Sequence, residues 1–145
     1  MIIKPYRRKA YYYECDKMNI VHHSNYIRWF EEARVDLLEQ IDCPFEKIEV
    51  RGLMSPVLTA QAEYKYPVHF ADEFQVKCRM TEFNGTKYAV EYEVYNLTEN
   101  KLSCTGKTTH CFTNSDMRPT RLKHSHPDIY EKFREIAESE DIYGG

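Results

Sequence analysis

The chain of 145 residues lacks the cysteine patterns that cross-link small proteins or bind structural metal ions. Its five cysteines are an odd number, and no two of them form a Cys-x-x-Cys pair, so neither a disulfide framework nor a zinc ribbon is indicated. No segment approaches the roughly 18 apolar residues of a membrane span, and the first residues lack the apolar core of a signal peptide. We therefore expect a reduced, cytoplasmic protein with no membrane span.

The sequence also lacks an excess of charge of either sign. Lys and Arg number 20 against 23 Asp and Glu, a formal net charge of −3, whereas nucleic-acid-binding domains are usually strongly basic. Hydrophobic residues make up 42% of the chain and aromatic residues 14%, which is enough to build one large core. We expect a single domain over residues 1–145 and no nucleic-acid partner.

A long amphipathic helix is predicted in the first third of the chain. Apolar residues recur at steps of three and four from Tyr26 to Ile41, which is the period of a helix that buries one face. Ser24 or Asn25 is the expected N-cap, and Pro44 ends the pattern.

Most of the remaining chain alternates apolar and polar residues, the period of a half-buried strand. Asn84-Gly85 stands between two such runs and predicts a hairpin with a type I′ turn. One helix against an antiparallel sheet of about five strands is an α+β fold, and the exposed sheet edges predict homo-oligomerisation. The expected strands cover about 6–13, 58–68, 74–81, 88–94 and 102–113, followed by a short helix at about 127–138 and a tail, 138–145, with little to bury.

The junction between the first strand and the long helix concentrates reactive side chains. The carboxylate of Asp16 and the imidazoles of His22 and His23 directly precede the helix. Free backbone N–H groups at a helix N-terminus carry partial positive charge and can hold a developing oxyanion. A loop can fold Asp16 back to face those donors, so the junction is a candidate active site.

The same junction carries a spaced pattern that identifies a family. Tyr12, Asp16, His23 and Tyr26 stand at fixed intervals, with Ile20-Val21 between them and the run 29–34 after them. This pattern resembles the hotdog-fold thioesterases of the 4-hydroxybenzoyl-CoA thioesterase family, in the YbgC-type acyl-CoA thioesterase branch. The resemblance covers about residues 5–135 and includes the runs 64–73 and 117–122. It implies a long central helix wrapped by a curved antiparallel sheet, assembled as dimers or tetramers with active sites at the dimer interface.

What the resemblance implies is hydrolysis of an acyl-CoA thioester to the free carboxylic acid and CoA. Asp16 would act as general base or as nucleophile, His23 and Tyr12 would complete the cluster, and a backbone N–H near His23 would polarise the thioester carbonyl. Arg118 and Arg121 lie in a small basic cluster suited to the phosphates of CoA. No cofactor is implied, because CoA is part of the substrate, and no metal site is expected. The residues expected to bind substrate or CoA are Ser24, Asn25, Tyr26, Arg118 and Arg121.

The sequence departs from the family pattern at two positions that matter. Asn19 stands where the family usually has glycine, and asparagine is the residue that best replaces glycine in a left-handed backbone. His22 replaces a common tyrosine, which leaves the nature of the acyl group open. Cys15 replaces a frequent threonine and receives no role.

Three alternatives to acyl-CoA hydrolysis follow from the same residues. An acyl-carrier-protein thioesterase would need a positive surface at the pocket mouth for its acidic partner. A hotdog protein that binds acyl-CoA without catalysis would have no need of Asp16 beside a thioester. Metal-dependent hydrolysis would rest only on the histidines and cysteines, and the His124 and His126 pair has no third ligand at matching spacing.

Overall fold

The structure, a computed structural model, describes residues 2–143 and consists of a five-stranded antiparallel sheet, one long helix and three shorter ones. The strands lie in the order β1-β3-β4-β5-β2, and the predicted α+β fold is confirmed. No helix among the described residues has the length and apolar character that a bilayer crossing demands. The elements are β1 (Tyr6–Lys9), a 3-10 turn (Tyr12–Glu14), α1 (Ser24–Gln40), α2 (Phe45–Glu49), β2 (Val57–Tyr64), β3 (Glu73–Phe83), β4 (Lys87–Asn96), β5 (Lys101–Cys111), α3 (Leu122–Ser125) and α4 (Pro127–Glu138).

Stacked aromatic rings join α1 to one face of the sheet. Trp29 stacks on Phe74 of β3 with ring centroids 3.8 Å apart, and Phe30 stacks on Tyr92 of β4 at 4.3 Å. Both helix residues are fully buried, as the helical period predicts. Phe30 also covers Gly106 of β5, where a Cβ atom would overlap its ring. The glycine therefore lets the helix approach the sheet closely, and the gain is in dispersion and buried apolar area.

Hydrogen bonds from outside the helix hold α1 at its C-terminal end. Lys132 of α4 donates from Nζ to the carbonyl oxygens of Ile41 and Asp42, at 3.0 Å each. The backbone N–H of Lys4 donates to Oε1 of Gln40 at 2.9 Å. A lysine at this end also complements the negative end of the helix dipole. The predicted short helix at 127–138 is confirmed as α4.

The hairpin between β3 and β4 differs from the predicted type I′ turn. A type I′ turn needs positive φ at both central residues, but only Gly85 has it, at 92°. The connection is a three-residue loop in which Oδ1 of Asn84 accepts the N–H groups of Thr86 and Lys87 at 2.9 and 2.7 Å. The asparagine side chain thus organises the loop, so the hairpin was predicted correctly and its turn type was wrong.

Two further expectations about local structure need correction, and one helix was not expected. The first strand ends at Lys9, because the chain then enters the 3-10 turn instead of continuing to Tyr13. The tail is anchored as far as it is described, since Ile142 is buried and its carbonyl accepts the N–H of Ile3 at 2.7 Å. Residues 144–145 lie outside the described residues. The short helix α2, which follows Pro44, was not predicted.

A chain of hydrogen bonds lies buried between α1 and the sheet. Arg34 donates from Nη1 to the hydroxyl of Tyr92 at 2.9 Å, that hydroxyl bonds Oγ1 of Thr108 at 2.6 Å, and Oγ1 bonds Nε2 of His110 at 2.7 Å. Arginine can only donate, so the donors run from Arg34 toward His110, and Nε2 of a neutral imidazole accepts the last hydrogen bond. Burial first, and then the positive charge of Arg34, lowers the pKa of His110 to about 3.

The neutral His110 makes the stability of the fold depend on pH. An unfolded histidine titrates near pH 6.5, so between about pH 6.5 and pH 3 the unfolded chain binds a proton that the folded chain does not. The free energy of unfolding therefore falls as the pH falls through this window, by about 2 kcal/mol at pH 5 from this group. Urea unfolding at pH 7, 6 and 5 of the parent and His110→Gln checks this. A parent and a variant with equal pH slopes would contradict it.

Candidate active site

Glu14 anchors the segment that precedes α1. Its side chain is 3% exposed, and Arg8 of β1 donates to both carboxylate oxygens, at 2.9 Å to Oε1 and 2.7 Å to Oε2. The N–H of Tyr11 donates to Oε1 and Nε1 of Trp29 donates to Oε2, both at 2.8 Å. Burial alone would raise the pKa of Glu14, but the hydrogen bonds from Arg8, Tyr11 and Trp29 outweigh it and leave that pKa below its ordinary value.

Asp16 lies in a tight loop two residues after Glu14. Its N–H donates to the carbonyl of Ile20 at 2.9 Å, and its carbonyl accepts the N–H of Asn19 at 3.1 Å. Oδ1 accepts the N–H groups of Met18 at 2.8 Å and Ile20 at 3.4 Å, whereas no donor among residues 2–143 binds Oδ2. Asn19 has φ of 62°, as its place in the family pattern predicts. The loop therefore orients an exposed carboxylate and leaves one oxygen free to react.

The N-terminus of α1 lies at the end of the same loop. The observed N-cap is His23 and not Ser24 or Asn25, and its side chain makes no capping hydrogen bond. The N–H of Ser24 donates to Nδ1 of His22 at 3.2 Å. The N–H groups of Asn25 and Tyr26 donate to the carbonyls of His22 and His23. Within the described residues no acceptor binds the N–H of His23. That N–H is therefore free at the positive end of the helix dipole, where an oxyanion would be stabilised.

Two of the predicted substrate-binding residues are engaged inside the fold. The side-chain amide of Asn25 donates to the carbonyl of Glu14 at 2.9 Å and is buried. Tyr26 is 4% exposed, and its ring packs edge-on against Tyr64 at 5.2 Å. The hydroxyl of Ser24 bonds Nδ1 of His22 at 2.9 Å and stays exposed. Within one chain, therefore, Asn25 and Tyr26 support the candidate site from inside the fold.

No hydrogen bond or ring contact links Tyr12, Asp16 and His23 within the described residues of one chain. Tyr12 is 77% exposed and contacts the ring of Phe70 edge-on at 5.5 Å. The ring of His23 packs on that of His22 at 4.2 Å. No hydrogen bond joins the three residues among the described atoms, so their joint role stays a prediction.

Arg118 and Arg121 lie far from the α1 N-terminus of the same chain. Tyr64 of β2, whose hydroxyl donates to the carbonyl of His23 at 3.3 Å, pairs with Cys104 of β5. The chain then runs along β5 to Cys111, about 23 Å further at roughly 3.3 Å per residue, before it reaches the exposed arginines. The bridge between Thr113 and Pro119 and the hydrogen bond from the N–H of Leu122 to the carbonyl of Gly85 hold the arginine segment at this end of β5, apart from Asp16 of the same chain.

A groove of about 770 Å³ lies elsewhere, beside the C-terminal segment and charged strand residues such as Lys77, Glu91 and Lys107. It includes neither Asp16 nor His23 of the same chain. In the part of the chain that the structure describes, no three histidine, cysteine or acidic side chains group together to hold a metal ion.

Comparisons with known proteins agree with this architecture. The chain matches the model of the thioesterase-like superfamily over residues 12–136, and it belongs to that family. It is 36% identical over 110 residues to an Aquifex aeolicus protein provisionally named an esterase, covering 76% of this chain and 84% of that one. It is 31% identical over 127 residues to Bacillus subtilis YneP, provisionally named an acyl-CoA thioesterase, covering 85% and 91%.

More distant relatives and a solved structure indicate the same class of protein. Acyl-CoA thioester hydrolase YbgC of Escherichia coli O157:H7 is 21% identical over 117 residues, 81% of this chain and 87% of that one. A DHNA-CoA thioesterase structure from Staphylococcus aureus superposes with a TM-score of 0.87 at 29% identity, covering 94% of this chain and 91% of that one. The chain is thus an acyl-CoA thioesterase-like hotdog protein, and its relatives include proteins named as acyl-CoA thioester hydrolases. The predicted family, fold and enzyme class are confirmed.

Sequence reasoning missed Glu14 as an organiser of the site. The available signal was a carboxylate among tyrosines, two residues before Asp16 and downstream of the arginine pair Arg7-Arg8. From the sequence alone, such a residue is expected to be a charged side chain on the surface. Its partners Arg8 and Trp29 belong to separate elements, so no local pattern connects them with Glu14. The buried position of Glu14 depends on tertiary structure.

We expect the left-handed backbone of Asn19 to set which substitutions the Asp16 loop tolerates. Asn19→Gly should keep the parent stability, because glycine adopts positive φ without strain. Asn19→Val should lower the free energy of unfolding by about 1–2 kcal/mol, because a β-branched side chain is strained in this conformation. Urea unfolding of both variants provides the measurement, and a valine variant as stable as the glycine variant would refute the strain argument.

Proposed function

We propose that this protein hydrolyses an acyl-CoA thioester to the free carboxylic acid and CoA, with Asp16 and the N–H of His23 as its reacting groups. The observation that carries the proposal is the free Oδ2 of Asp16 on a loop that leads directly to the free N–H of His23. A carboxylate to activate water and a donor for an oxyanion are the two groups that thioester hydrolysis requires.

In the proposed reaction the thioester carbonyl oxygen binds the N–H of His23. As water attacks the carbonyl carbon, Oδ2 of Asp16 takes its proton, and the charge on the carbonyl oxygen is held by the helix N-terminus. The tetrahedral intermediate then collapses, the C–S bond breaks, and the CoA sulfur leaves with the proton that Asp16 had taken. In the alternative route Asp16 attacks the carbonyl carbon first, the C–S bond breaks, and the CoA thiolate leaves and takes up a proton from solvent. Water then hydrolyses the mixed anhydride, which releases the carboxylic acid and restores Asp16. Both routes need the same two groups.

The proposal includes a second copy of the chain. The edge strand β2 is exposed, and it carries apolar side chains at Val57, Leu58 and Tyr64 that are about half exposed. An unpaired apolar edge is a pairing surface. Tyr64 adjoins His23, so a partner on this edge would border the candidate site. Tyr12, Ser24, Arg118 and Arg121 are proposed to contact substrate in that assembly, as dimer or tetramer.

We also propose a cytoplasmic location without a nucleic-acid partner. All five cysteines are free thiols, and Cys43, Cys78, Cys104 and Cys111 are buried, which suits a reducing compartment. The net charge of −3 offers no general attraction for nucleic acid.

Replacing Asp16 tests the proposed chemistry. Asp16→Asn keeps the shape of the loop but removes the base or nucleophile, so kcat should fall roughly 10²- to 10⁴-fold. The measurement is release of free CoA thiol from acetyl-, hexanoyl-, palmitoyl- and aromatic-CoA. Asp42→Asn, at the other end of α1, is the matched control and should keep the parent rate. If Asp16→Asn hydrolyses every substrate as fast as the parent, the proposed mechanism is wrong.

Three other outcomes decide between the alternatives, when acyl-carrier-protein substrates and a chelator are added to the same panel. A clear preference in kcat/KM for matched acyl-carrier-protein substrates would show that the substrate is an acyl-carrier protein and not an acyl-CoA. Tight acyl-CoA binding with no thiol release from any substrate would show that the protein binds acyl-CoA as a ligand and does not hydrolyse it. Loss of activity on exhaustive chelation would favour metal-dependent hydrolysis.

The proposed role of the basic cluster has its own test. Arg118→Ala combined with Arg121→Ala should raise KM for acyl-CoA roughly 100-fold, because each phosphate contact is a charge-assisted hydrogen bond worth about 1.5 kcal/mol. The value of kcat should stay near the parent value. Arg79→Ala, on an exposed position of β3, is the control. An unchanged KM in the double variant would remove the arginines from the CoA site.

A further inference from the structure

We propose that Glu14 is a positioning residue for the reaction: its buried carboxylate fixes the loop of Asp16 relative to the free N–H of His23. This inference rests on the proposed function of Asp16. Glu14 has no contact with substrate in this proposal, and it acts only through the backbone that carries the two reacting groups.

The first argument is the set of elements that the carboxylate joins. Arg8 belongs to β1, Tyr11 is the N-cap of the 3-10 turn, and Trp29 lies on the second turn of α1. All three donate to the two oxygens of Glu14 at 2.7–2.9 Å. One side chain therefore ties strand, turn and helix together at the base of the site.

The second argument is what the backbone of Glu14 holds. Its carbonyl accepts the N–H of His22 at 2.8 Å and the side-chain amide of Asn25 at 2.9 Å. His22 directly precedes His23, and only Cys15 separates Glu14 from Asp16. Cys15 in turn forms a bridge with Val21 across the loop. A shift of Glu14 would therefore move the carboxylate of Asp16 and the oxyanion donor at the same time.

The third argument is that the site requires a carboxylate at this position. Each oxygen of Glu14 accepts two hydrogen bonds, Oε1 from Arg8 and Tyr11 and Oε2 from Arg8 and Trp29. A glutamine would place its NH₂ group against donors in either orientation. Glu32 also bonds Arg8, at 2.9 Å, but its side chain is 37% exposed and bonds no residue of the Asp16 loop.

The experiment compares Glu14→Gln with Glu32→Gln, its matched control on the same arginine. Glu14→Gln should lower kcat about 10- to 100-fold, the cost of misplacing a reacting group by about 1 Å, while KM changes less than about threefold. Glu32→Gln should keep kcat within about twofold of the parent. Circular dichroism and gel filtration measure the folded fraction of each variant, and kcat is calculated per folded molecule.

A double variant separates positioning from a purely structural role. If Glu14 acts through Asp16, adding Glu14→Gln to Asp16→Asn should lower the residual kcat far less than it lowers that of the parent, because the effects of coupled residues are not additive. Equal factors in both backgrounds would overturn the inference. Should Glu14→Gln fail to fold, Arg8→Lys tests the same point, since lysine keeps the charge but cannot donate two parallel hydrogen bonds. Its kcat should fall about tenfold, and an unchanged kcat would overturn the inference.

Failure of this inference is distinguishable from failure of the proposed function. If folded Glu14→Gln retains the kcat of Glu32→Gln while Asp16→Asn is inactive, Glu14 has no positioning role and the proposed chemistry stands. If Asp16→Asn is as active as the parent, the proposed chemistry fails, and the positioning role fails with it.

Discussion

The buried ion pair between Glu14 and Arg8 is the constraint on which the candidate site depends. Removing two charges from water costs several kcal/mol for each ion, and their attraction offsets this only when the remaining hydrogen-bonding groups are also satisfied. Here both carboxylate oxygens are fully used, and the guanidinium of Arg8 also lies over the ring of Tyr11, 4.1 Å from its centroid. Such an arrangement specifies one geometry more than it adds stability.

The same core contains a second buried cation that is satisfied differently. Arg34 has only the hydroxyl of Tyr92 as a hydrogen-bond partner among the described residues, and its Nε is buried without one. Its charge disfavours a second proton on His110. Arg8 thus lies below the candidate site and is bound by a carboxylate. Arg34 lies further along α1, where its partners are neutral and where protonation of His110 at acid pH would destabilise the fold.

The sequence predicted those features that follow from local periodicity. The stripe from Tyr26 to Ile41 indicated α1 to within two residues at either end, and the alternating runs indicated the four longer strands. The family pattern indicated Asp16 as the candidate reacting carboxylate, whose role is a proposal. It also indicated the left-handed backbone that Asn19 adopts. The turn at Asn84 was less predictable, because a side chain that accepts two backbone N–H groups competes with the glycine preference. Glu14 was out of reach, since its burial depends on partners brought together only by the tertiary fold.

The attachment of α1 at both ends has a consequence for how this protein could change its substrate. Glu14 holds the helix through Trp29 near its start, and Lys132 holds the carbonyls just beyond its end. A helix fixed at both ends cannot slide along the sheet to admit a larger acyl group. We therefore expect new substrate preferences in this lineage to arise by exchanging the side chains that line the site, with the backbone kept as an unaltered frame.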